Sequence, residues 1–157
     1  VAGEEPLPPA TNRVAPYRVL AAKNLTCRPE PAAKLKLENE GLAYEPGKPE
    51  AQIEFDFDVA ESGRYQLSAV LIMSLASSRY QPVLDGRPVG PELDLCVLEE
   101  DWTWFGLDLH DLAAGKHTLK FIGRGASPHQ RTMAPPRFAF GLNSLVLLRL
   151  EDLTAPK

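Results

Sequence analysis

The stretch Tyr80-Gln-Pro-Val-Leu-Asp-Gly-Arg-Pro-Val-Gly90 sets a carboxylate, Asp85, in a glycine turn between two apolar runs. Acid chemistry at that corner would need a partner: an activated nucleophile, a base, or a second carboxylate in a different environment. The chain has three histidines, His110, His117 and His129, and no G-x-S-x-G elbow around any serine. His117 alternates with Leu119 and Phe121 on "KHTLKFIG", which reads as a core position rather than a base. Asp56, Asp58, Asp94 and Asp108 lie in strand-like stretches, without the local signature of the perturbed acid that glycoside hydrolysis needs. No catalytic residue is expected. Asp85 is explained by the turn itself, because Asp and Gly both tolerate positive φ.

Metal and phosphate chemistry find equally little support. The cluster Glu99, Glu100 and Asp101 in "LEEDW" lacks the D-x-D-x-D-G spacing of a calcium loop and reads as a solvated corner. "GRGAS" (123–127) has neither the lysine nor the following helix of a phosphate loop. Cys27 and Cys96 have neither the close spacing nor the histidine company of a zinc site, which leaves a disulfide or two buried thiols.

What remains is a surface that could bind. In "DWTWFGLDLH" (101–110), Phe105, Leu107 and Leu109 share one strand face, and Trp102, Trp104, Gly106 and Asp108 share the other. With the first set turned to a core, both indoles and Asp108 face outward. A planar indole beside polar groups suits the apolar face of a sugar ring, and equally a loop or neighbouring domain that covers it. Arg124 falls on the outward set of its own strand with Thr118 and Lys120, and the long loop 123–137 adds His129, Gln130, Arg131 and Arg137. The candidate ligand-binding residues are thus Trp102 and Trp104 for stacking, and Asp108, Arg124 and Arg131 for hydrogen bonding.

The elements that must position these residues follow a period of two. "AQIEFDFDV" (51–59) puts Ile53, Phe55, Phe57 and Val59 on one face and acids on the other, and "RYQLSAVLIMS" (64–74) becomes apolar on both faces, as a central strand would. Further strands are predicted at 17–21, 34–38, 80–84, 102–109, 116–124 and 138–150, divided by turn signals at "ESGR", "LDGR" and "AAGK". "DLHDLAAG" (108–115) reads as one short helical turn. At least seven strands without a long helix predict an all-β fold, a jelly-roll β-sandwich of two antiparallel sheets. It spans 17–150, between a Pro- and Glu-rich linker or arm (1–16) and a patternless tail (151–157).

A length of 157 residues suits one domain, and 44% hydrophobic with 24% charged content places it among globular chains. The net charge of −4 argues against a nucleic-acid partner, which would need clustered cations. No apolar run approaches the roughly 20 residues of a membrane span. The start, without initiator Met or an apolar leader, reads as a mature or excised fragment.

Four segments in order, "FDFDVAESGRYQLSAVL", "YQPVLDGRPVGPELDLC", "FGLDLHDLAAGKHTLKFIGRG" and "FAFGLNSLVLLRL", resemble the galactose-binding-like β-sandwich of carbohydrate-binding modules and of accessory domains in glycoside hydrolases. The likeness covers about residues 51–150 and rests on Ser62-Gly63 and Tyr65, Asp85-Gly86, Leu112, Gly115, His117 and Leu119, and Gly141, Asn143 and Leu147. It implies a non-catalytic carbohydrate-binding module of a larger extracellular or periplasmic protein, or a structural, protein-contact domain on the same fold. Its partner is then a carbohydrate or a neighbouring domain of the same protein. Calcium-binding members of that group open on a strand like "E-A-E", so the resemblance leaves calcium as a possible ligand; here the stretch is "VLAAKNL" (19–25), the expected acidic ligands are missing, and no cofactor is expected.

Overall fold

The computed structural model describes residues 17–32, 35–38, 41–130 and 135–150. The expected arm (1–16) and tail (151–157), and Arg131, lie outside the described residues. The chain forms β1 (Tyr17–Ala21), a 3-10 turn (Ala22–Asn24), β2 (Thr26–Glu30), β3 (Lys36–Glu38), β4 (Gly41–Tyr44), β5 (Gln52–Val59) and β6 (Gly63–Met73). There follow β7 (Arg79–Leu84), β8 (Arg87–Pro88), β9 (Leu93–Asp94), β10 (Asp101–Leu112), β11 (Gly115–Gly125) and β12 (Phe140–Arg149). The first sheet runs β10-β6-β12-β4-β3 with β1 also on β12; the second runs β2-β5-β11-β7-β8 with β9 also on β7. These ladders are antiparallel, so the jelly-roll sandwich is the architecture observed. Among the described residues no helix is long and apolar enough to cross a membrane.

The period-two pattern becomes the core directly. Ile53, Phe55, Phe57 and Val59 of β5, with Leu119 and Phe121 of β11, are buried against Leu67, Ala69 and Leu71 of β6 and Leu142, Leu145 and Leu147 of β12. Phe140 of the first sheet ties the layers together: its ring lies 4.7 Å from Phe121, 4.9 Å from Tyr80 and 6.5 Å from Phe55. As expected of a central strand, β6 sits between β10 and β12, with Val70 and Ile72 buried on its outer face as well.

Parts of the fold escape the sequence pattern, among them the short strands β4 and β9, which it does not predict. β2, "TCRPE", carries Pro29 and is an edge strand, where a missing N–H leaves no ladder bond unmade. "DLHDLAAG" is not a helical turn, because β10 continues to Leu112 and Gly115, at φ 125°, starts β11 after only two residues. Both cysteines are free, with Cys27 half-buried and Cys96 buried. Burial pushes the Cys27 thiol up to about 11, so it stays protonated and unreactive at neutral pH.

On the outer face of the second sheet, Arg28 forks onto Asp56 at 2.6 and 2.8 Å and reaches Glu54, while the Thr118 hydroxyl donates to Asp56 at 2.9 Å. The Arg28 hydrogen bond, chiefly, holds the Asp56 carboxyl at about 2, below its ordinary 3.8. A lowered folded pKa contributes stability above the ordinary range that is lost as pH falls, here from about pH 4 to about pH 2. Asp56→Asn should remove that part of the acid limb in a pH series of urea midpoints.

Candidate functional site

Asp85 and Gly86 take φ of 48° and 87° and join β7 to β8 as a two-residue hairpin. The carboxylate does more than permit the turn. One oxygen accepts from the Thr118 N–H at 2.9 Å, and the other lies 2.6 Å from His117 Nδ1. The second ring nitrogen of His117 is 2.7 Å from the Ala113 carbonyl, and the ring stacks on Phe57 at 5.7 Å. Burial by itself would lower the His117 pKa. The Ala113 carbonyl and the Asp85 carboxylate outweigh it, and the net pKa is raised. With both nitrogens engaged, His117 has no lone pair left for a substrate proton. The "DG" and "G-x-H-x-L" signatures are therefore one structural clamp.

The tryptophans lie on the outer face of the first sheet, where Trp102 is opposite Ile72 and Trp104 opposite Val70. Trp104 is 57% exposed. Trp102 is half-buried, its ring laid over Gly41 of β4, where a Cβ would come within 2.5 Å of its Cη2. Trp102 is thus floor, and Trp104 is open platform. The face count breaks further along β10: the register shifts between Gly106 and Leu109, and Asp108 adopts φ 68°. This bulge exposes Leu109 to 50%, not inward as expected, and takes Asp108 out of the tryptophan row to lie near Gly90. Arg124 is exposed on β11 of the second sheet, so it does not flank the indoles. It falls at the register shift between Gly123 and Gly125, and the outward faces of two packed sheets point in opposite directions. Of the five candidates, Trp102 and Trp104 alone are brought together among the described residues.

Beside them opens a cleft of about 590 Å³. Ile72, the ladder partner of Trp102, lies in it, so the cleft continues the tryptophan face. Its polar lining comes from five segments: Lys36 of β3, Glu45 after β4, Ser74 and Ser77 after β6, Glu100 before β10, and Arg137 before β12. Arg137 is bidentate to Glu45, with one N···O distance of 2.7 Å. Gln130 donates to the carbonyls of Ser77 (3.0 Å) and Arg137 (2.7 Å). Sequence reasoning noticed Arg137 and Glu100 but missed Lys36 and Glu45. No local spacing joins residues from five segments.

Among the described residues no group of three or more His, Cys, Asp or Glu is placed to hold a metal.

The fold is a β-sandwich of two antiparallel sheets, the architecture that solved carbohydrate-binding modules also have. No protein-family model matches the chain, and no curated protein matches it by sequence. Among solved structures, a xanthan lyase from Paenibacillus superposes with a TM-score of 0.66 at 17% identity, over 84% of this chain and 13% of the lyase. A family 35 carbohydrate-binding module from Clostridium thermocellum gives 0.53 at 14% identity, over 85% of this chain and 98% of the module. The insecticidal crystal protein Cry2Aa gives 0.57 at 8% identity, over 86% and 22%. The chain therefore spans only about an eighth of the lyase, and at these identities the shared property is the fold.

Proposed function

We propose that this domain is a non-catalytic carbohydrate-binding module of a larger extracellular or periplasmic protein, with sugar stacked on Trp104 and continuing into the adjoining cleft. The observation that carries the reading is an exposed indole, Trp104, on the sheet face it shares with Trp102, whose ladder partner Ile72 lines a charged, hydroxyl-bearing cleft. Clefts of this volume are the usual size for small-molecule sites, and an indole offers a flat apolar surface to the C–H face of a pyranose. The engaged nitrogens of His117 support a role without catalysis.

The test is a glycan array followed by titration with the best ligand. The wild type is expected to bind, and Trp104→Ala to bind about 30-fold more weakly or worse, as for a central aromatic anchor, with an unchanged denaturation midpoint. No binding to any glycan overturns the reading. It would favour a protein-contact domain, which the exposed Val19 on the same face also suits.

A further inference from the structure

Resting on the reading of this face as a sugar site, we propose that the cleft accepts an uncharged sugar residue and rejects uronates, and that the Glu45–Arg137 pair sets this selectivity. A sugar carboxylate would seek the planar fork of an arginine. The one arginine among the described residues of the cleft lining has already given two donors to both oxygens of Glu45. That hydrogen bond, foremost, with the charges of Arg137 and Lys36, holds the Glu45 carboxyl below its usual range, so the pair stays ionised at neutral pH.

Among the described residues the cleft's charges also cancel, with Lys36 and Arg137 against Glu45 and Glu100. An incoming carboxylate must compete with Glu45 for the Arg137 fork, or settle for its remaining N–H groups and Lys36 with the carboxylates of Glu45 and Glu100 beside it. Either alternative opposes binding. A hydroxyl is both donor and acceptor: it can accept from the remaining guanidinium N–H groups and donate to the free lone pairs of Glu45 while the pair stays closed. The pair is half-exposed, 55% for Arg137 and 46% for Glu45, so altering it changes the cleft without threatening the fold.

The experiment compares wild type and Glu45→Gln by calorimetric titration. The probes are neutral oligosaccharides from xylan, mannan and galactan, and oligouronates of matched length from pectin and alginate. Wild type is expected to bind a neutral series at least about tenfold more tightly than either oligouronate. Glu45→Gln, which releases Arg137, is expected to gain about tenfold or more for oligouronates, the worth of one charge-assisted hydrogen bond. Wild-type preference for an oligouronate, lost in Trp104→Ala, overturns the selectivity and leaves the sugar site standing. A folded Glu45→Gln without that gain also overturns it. Binding to neither series removes the sugar site itself.

Discussion

Phe140→Ala is expected to destabilise the domain by about 3–5 kcal/mol, the range for emptying a buried phenylalanine site. The ring is 1% exposed and is the first sheet's contribution to a four-ring cluster whose other members, Tyr80, Phe55 and Phe121, all belong to the second. Removing it takes one ring from three partners at once. The neighbours cannot close the gap easily, because each is fixed in a strand ladder and Tyr80 is further held by its hydroxyl, which donates to the Phe138 carbonyl at 2.6 Å. Urea denaturation followed by far-ultraviolet circular dichroism measures the loss, and Phe140→Leu should recover most of it. Phe140 also lines the cleft, so the loss should reach ligand binding. A change below about 1 kcal/mol would mean that the two sheets are held together elsewhere.

How much of this was legible in the sequence depends on the range of the interaction. β5 declared itself through four alternating apolar residues, and the hairpin at Asp85-Gly86 through its dipeptide, because both are decided by neighbours in the chain. The bulge in β10 was hidden. "FGLDLH" keeps an apolar period of two through Leu109, yet the backbone turns at Asp108 and the period no longer maps onto one face. The seat of Trp102 was hidden for a different reason. It depends on a missing side chain at Gly41, on a strand separated from β10 by two others, and nothing local marks that glycine as a neighbour. Glu45 and Arg137 are 92 residues apart and meet only because β4 and β12 pair. Sheet-forming patterns are local, whereas a cleft assembled from five segments is a property of the topology.

The clamp between the hairpin and β11 gives the second large effect. Asp85→Ala is expected to cost about 2–3 kcal/mol at mildly acidic pH, because it removes the acceptor for the Thr118 N–H and the charged partner of His117. It also puts alanine at φ 48°, where Asp and Asn are tolerated better. The pH dependence has a definite sign. The folded pKa of His117 is raised, so its contribution is complete below the ordinary imidazole value of about 6.5 and is lost as pH rises through the folded pKa. The gap between wild type and Asp85→Ala should therefore narrow toward alkaline pH, leaving the part due to Thr118. Asp85→Asn keeps the turn and an acceptor for Thr118 but not the charge, so it should fall between the two and lack the alkaline change. His117→Gln should flatten the wild-type profile in the same window. If urea midpoints of wild type and Asp85→Ala run parallel from acid to alkaline pH, the imidazole holds no extra proton in this pair. The link between the hairpin and β11 would then be the Thr118 bond alone.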